Sequence, residues 1–258
     1  MDGPNMQPGD AAGRFGEPAR RRLWWMWVIA NGAGEAVGLS GAAFVAVVVL
    51  DGTRAELGVF WASVVSASVF GVILGVVVGL AQAWVLRWPL PFLRRRTWVV
   101  ATAAGGAIGW LAASVPLVDR LADRAGSGLG SDLLVAAAVG VVAGPILGVP
   151  QWLVLREHVP EASPWIWANA AAWAVGTPAV VFAAEAVPGG AAWYVVAGLA
   201  LPGLSAAGAI VGAIHGLVLV HIVGYRLEPN VYARRVVEEL GHTELRYGKD
   251  DLTAGDDR

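Results

Sequence analysis

The chain has no cysteine among its 258 residues, which excludes disulfides and thiol chemistry. Charge is scarce as well. Asp, Glu, Lys and Arg make up 15% of the sequence, where a soluble domain carries about a quarter. His215 and His221 stand six apart, about 240° around a helix, so they cannot share one metal ion or haem. There is no His-x-x-x-His pair and no carboxylate cluster, and a metal site has no support. A phosphate-cradling Gly-Lys-Ser/Thr loop is missing. So are a nucleophile elbow and any legible nucleophile–base pair. The chain is therefore not expected to be an enzyme, and neither a cofactor nor a nucleic-acid partner is expected. No cleavable signal peptide is expected either, because the first 22 residues are polar and Arg-ended and lead straight into a long apolar run.

What the chain does have is one unit written three times. Residues 27–38 read WVIANGAGEAVG, residues 98–109 read WVVATAAGGAIG, and residues 165–176 read WIWANAAAWAVG. The copies start 71 and 67 residues apart. A second motif follows each: GLAQAWVLR at 79–87, GVPQWLVLR at 148–156, and the decayed GAIHGLVLV at 212–220. Such a period is too long for one helical segment and fits two.

Hydrophobic residues make up 57%, and mean hydropathy is +0.60. The charges cluster and leave six long apolar runs, at 24–50, 58–86, 98–118, 132–155, 165–187 and 193–222. Each reaches the roughly 20 residues that cross a bilayer, and lipid obliges the backbone to satisfy its own hydrogen bonds as helix. The fold class expected is an all-α membrane protein. Its six transmembrane helices are expected to form three tandem parallel two-helix repeats, pseudo-threefold about the membrane normal. The expected divisions are a disordered cytoplasmic tail at 1–22, repeats at 23–90, 91–160 and 161–224, and a cytoplasmic tail at 225–258. Within that last tail, residues 231–240 have the pattern of a short amphipathic helix.

Arginine sets the orientation. Arg20, Arg21 and Arg22 precede the first span, Arg87, Arg94, Arg95 and Arg96 follow the second, Arg156 follows the fourth, and Arg226, Arg234 and Arg235 follow the sixth. The excess places both ends of the chain in the cytoplasm of a bacterial inner membrane. Trp24, Trp25, Trp84, Trp88, Trp98, Trp152 and Trp165 all fall at the same predicted interface and read as an aromatic belt. The interfacial arginines Arg87, Arg94, Arg95, Arg96 and Arg156 read as topology anchors or as contacts for anionic lipid headgroups. Lipid is thus the expected partner; protein partners are not legible.

The candidate site is a polar layer inside the spans: Asn31, Thr102 and Asn169 from the first motif, Gln82, Gln151 and His215 from the second. It serves either as hydrogen-bonding glue between helices or as a polar constriction on the threefold axis. Gly71, Gly75 and Gly79 share a helix face with Gln82, and Gly140, Gly144 and Gly148 share one with Gln151. Such a row is either a packing face or a glycine-lined passage. Glu35 lies about 17 Å along its span, near the bilayer centre, where a carboxylate is costly to place. It is either a proton or cation relay or a ligand contact, or else a protonated, hydrogen-bonded packing residue, with His215 and Asn31 as its expected partners.

The G-x-x-x-G-x-x-Q-W-x-V-L-R signature at 144–156, paired with W-x-x-A-N-x-x-x-W at 165–173, resembles repeat-bearing integral membrane proteins of bacteria that have no assigned activity. The resemblance covers about residues 24–222 and implies no catalytic role for any residue. The third copy departs from it, with His215 for Gln and Val220 for Arg. Two functions remain open from sequence: a small solute or ion pathway lined by Glu35 and the polar layer, or a non-transporting scaffold or partner subunit in which the same residues only lock helices.

Overall fold

The structure is a computed structural model that describes residues 8–122, 128–188, 190 and 192–224. The 231–240 stretch, with Arg234 and Arg235, and Arg226 before it lie outside the described residues. The described residues form five helices: α1 (Pro8–Leu86), α2 (Arg95–Ala122), α3 (Leu129–Leu155), α4 (Pro164–Glu185) and α5 (Trp193–Val223). The expected bounds of α2 to α5 hold to within four residues. The expected first and second spans are instead joined in α1, which breaks at one residue, Gly58, with φ 75° and ψ 162°. That region is open to glycine alone. Because the break needs only one residue, helix runs on through Asp51 and Arg54 on one side and resumes at once on the other.

Gly58 folds α1 into two antiparallel limbs. Ser66 Oγ donates to the Ala46 carbonyl across them at 2.8 Å. Gly34 lies against Val78, and Gly38 against Leu74. Other hydroxyls in α1 are satisfied within a turn, as Ser40 donates to the Ala36 carbonyl and Ser68 to that of Val64. The start of α1 departs from expectation, since helix begins at Pro8, inside the stretch expected to be disordered. Helix extends cheaply from an existing turn. Arg20 also has a docking place, its guanidinium lying over Gly224 at the C-terminal end of α5, where the helix dipole favours a cation.

The limbs and helices close a ring. The second limb packs on α2, α2 on α3, α3 on α4 and α4 on α5, and α5 returns to the first limb. The first limb enters the bundle at Leu23, at the end where α2 and α4 begin and the second limb, α3 and α5 finish. Leu23, Trp27, Leu86, Trp98, Leu155, Trp165 and Val223 form one buried cluster there. A smaller cluster of Leu39, Ala42, Leu74 and Val78 holds the two limbs of α1 together farther along.

The tightest joints are built on glycine. A Cβ on Gly75 would sit 2.6 Å from the Ala103 Cα, and one on Gly144 would sit 2.7 Å from the Ala170 Cα. The outer surface is apolar, with Ile29, Phe44, Val100, Leu134, Phe182 and Leu217 all more than half exposed. The interior holds Asn31, Glu35, Gln82, Thr102, Gln151, Asn169 and His215, all buried. Apolar outside and polar inside is the reverse of a water-soluble domain. Among the described residues four helices are long and apolar enough to cross a membrane: 17–86, 129–155, 164–185 and 198–223. The protein is an all-helical chain with the helices of a multi-pass membrane protein.

Candidate functional site

Trp98 and Trp165 lie in the first turns of α2 and α4 and Trp27 at the same end of the bundle in the first limb, and none has any exposed surface (0%). Each indole N–H donates to a polar side chain on the helix that ends beside it. Trp27 Nε1 donates to His215 Nδ1 at 2.8 Å, Trp98 Nε1 to Gln82 Oε1 at 3.2 Å, and Trp165 Nε1 to Gln151 Oε1 at 3.1 Å. The Trp165 ring lies 5.9 Å from that of Trp27 and 6.3 Å from that of Trp98, centroid to centroid. The three indoles form a floor at one end of the bundle. This corrects the belt reading for Trp98 and Trp165. Trp25, Trp84 and Trp88 are exposed as a belt requires, but Trp98 and Trp165 point inward because a buried glutamine accepts their N–H.

One helical turn above the floor lie Asn31, Thr102 and Asn169. Asn31 Nδ2, Thr102 Oγ1 and Asn169 Nδ2 donate to the carbonyls of Trp27, Trp98 and Trp165, at 2.8, 2.9 and 2.9 Å. Cross-links between helices complete the layer. Gln82 Nε2 donates to Asn31 Oδ1 at 2.9 Å, and Gln151 Nε2 to Thr102 Oγ1 at 3.0 Å and to Gln82 Oε1 at 3.1 Å. His215 makes no matching bond to Asn169. Its Nδ1 is taken by Trp27, and a neutral imidazole has one N–H where an amide has two. Asn169 instead packs its side chain on Gly148, as Thr102 does on Gly79 and Asn31 on Gly212. The glycine rows are thus packing faces, and each joins the second leg of one sequence repeat to the first leg of the next.

Glu35 sits one turn above Asn31 and is 3% exposed. Its stem fills the space over Gly208 of α5, where an added Cβ would lie 2.5 Å from Glu35 Cγ. Neither expected partner reaches its carboxylate. His215 is engaged by Trp27, and the Asn31 amide bonds the Trp27 carbonyl and Gln82. The Oε2 atom is buried with no hydrogen-bond partner. Glu35 lines a cavity of about 40 Å³ together with Asn31, Gln82, Thr102, Gln151, Asn169 and His215. A cavity this size holds a few water-sized guests and nothing larger. Gly106 and Trp173, the counterparts of Glu35 in the other two sequence repeats, line the same space.

A second cavity of about 60 Å³ adjoins it, lined by apolar residues such as Ala113, Ala143 and Val181. Trp110, Leu147 and Trp173 border both spaces and form the partition. Trp110 is held by an edge-on contact with Phe70, with ring centroids 4.6 Å apart. Among the described residues no three His, Asp or Glu side chains converge as a metal-ligand set.

The arginines divide. The Arg87 guanidinium lies over Trp84, 4.9 Å from the ring centroid, and that of Arg156 over Trp152 at 5.0 Å. Arg95 lines a groove with Arg22 and Arg87, whereas Arg94 and Arg96 are exposed outside it. The sequence did not single out the indole donors or Arg22. The signal for the donors was present, since Trp27, Trp98 and Trp165 head all three motif copies while the belt tryptophans shift in register. Comparison with known protein families, curated proteins and solved structures finds no match.

Proposed function

We propose that the chain is an inner-membrane protein of three tandem two-helix repeats, arranged pseudo-threefold about the membrane normal, with both ends on the cytoplasmic face. Its axis is a pathway for a proton or a small cation, held closed in this structure, and Glu35 is the group that binds the passenger. The observation that carries this reading is the buried Oε2 of Glu35, without a hydrogen-bond partner, on a residue that lines a small cavity with the polar layer. A buried polar atom without a partner is costly, and a carboxylate at mid-membrane marks a functional position by default. Equivalent hydrogen bonds from Trp27, Trp98 and Trp165 support the threefold arrangement. Transport on this reading needs movement at both ends: of the indole floor, and of Trp110 and Trp173 above.

One observation favours the scaffold reading instead. The amides of the polar layer are bonded to each other and to the backbone, and three buried indoles seal the axis. The deciding experiment is flux of protons, sodium and potassium into vesicles containing the purified protein, with Glu35→Gln beside it. The pathway reading expects flux that falls at least about tenfold in the variant. Flux unchanged by Glu35→Gln removes Glu35 from the mechanism. Absence of flux from folded protein, with Glu35→Gln raising the melting temperature, leaves the scaffold.

A further inference from the structure

At the end of the bundle where the indole floor lies, the first limb, the second limb and the link to α2 enclose a groove of about 560 Å³. Its cationic lining is Arg22, Arg87 and Arg95, and its apolar walls include Met26, Trp84 and Trp88. Two of the cations are held by rings. Arg87 lies over Trp84, and the Arg22 guanidinium is 5.6 Å from the Trp88 ring centroid. Such stacking fixes the planar cation while leaving its N–H edge free to donate. Among the described residues no carboxylate forms an ion pair with any of the three; the ion pair present, Arg54 with Asp51, lies at the other end of the bundle. Three guanidinium groups, two of them set by stacking, no acid in the lining, and exposed indoles beside them describe a receptor for a phosphate carried at a membrane surface.

We propose that this groove binds the phosphodiester headgroup of an anionic phospholipid. The site belongs to one sector only. Arg156 repeats Arg87, but Glu161 and Ala162 stand where the first sector has Arg94 and Arg95, and Val220 replaces the arginine in the third. The bound lipid therefore breaks the threefold likeness and clamps the two limbs of α1 to the start of α2. This inference rests on the membrane reading, though not on any transport through Glu35.

The test is lipid retention by native mass spectrometry of the full chain in nonionic detergent, with phosphatidylglycerol, phosphatidylcholine and inorganic phosphate as probes. Phosphatidylglycerol is expected to be held about tenfold more tightly than phosphatidylcholine. The preference should vanish when Arg22→Gln, Arg87→Gln and Arg95→Gln are combined and should survive Arg156→Gln. Should the triple variant not fold, Arg95→Glu, on the exposed first turn of α2, must weaken phosphatidylglycerol binding by itself. Equal retention of the two lipids, or a preference that outlives the arginines, overturns the proposal. Binding of inorganic phosphate without a lipid preference also overturns it, by showing a site for the free anion. A chain that stays dispersed without detergent would instead remove the membrane reading beneath it.

Discussion

At the scale of single residues, the three indole donors are not equivalent. Gln82 Oε1 accepts from Trp98 and also from Gln151, whereas Gln151 Oε1 accepts from Trp165 alone. Trp165→Phe therefore leaves a buried acceptor with nothing, at a cost of about 1–3 kcal/mol beyond lost packing. Trp98→Phe leaves Gln82 served. Thermal unfolding in detergent should show the larger loss for Trp165→Phe, and equal losses would mean that the N–H bonds contribute little. The polar layer itself was legible because Asn31, Gln82 and their counterparts interrupt apolar runs at repeating positions. The fate of Glu35 was not legible. Helical spacing places His215 and Asn31 near it, but only packing reveals that Trp27 has already claimed the imidazole.

At the scale of the helices, glycine sorts into three kinds. Gly144 is pressed on the backbone of α4, so Gly144→Ala must push two helices apart, at about 1–3 kcal/mol. Gly41 lies in α1, and a Cβ there would meet nothing within 4 Å. Gly41→Ala should be neutral or stabilising by up to about 1 kcal/mol, since alanine is the better helix former. Gly58 has empty space around it and a backbone other residues avoid. Gly58→Ala should lower stability by about 1–3 kcal/mol through the hairpin bend alone. Melting temperatures of the three variants check the ranking; a Gly41→Ala loss as large as that of Gly144→Ala would refute it. Helix positions were readable because apolar runs of this length leave little choice. The junction in α1 was not, because Asp51, Arg54 and Glu56 look like loop residues and yet sit on continuing helix, with Arg54 and Asp51 paired one turn apart at 3.7 Å. Nor does the sequence show that the glycine rows join neighbouring repeats instead of the two legs of one hairpin. A row of small residues says that a helix is approached closely, and does not say by which one.

At the scale of the whole molecule, the natural lack of cysteine offers a direct check on orientation. Phe92 lies at the end of the bundle carrying the indole floor, and Val59 at the opposite end beside Gly58; both are well exposed. Phe92→Cys and Val59→Cys should react with an impermeant maleimide from opposite faces of sealed vesicles, Phe92→Cys from the cytoplasmic one. Labelling of both from one face would exclude the three parallel hairpins. The closed ring has a further consequence, for biosynthesis. The first limb waits for its neighbour α5 until residues 193–223 have left the ribosome. Until then Asn31 and Glu35, which Gly208 and Gly212 later cover, stand at an open seam facing lipid or the insertion machinery. A nascent chain arrested before residue 193 would present an uncovered carboxylate among apolar helices, a mark by which quality-control proteases can tell the unfinished protein from the finished one.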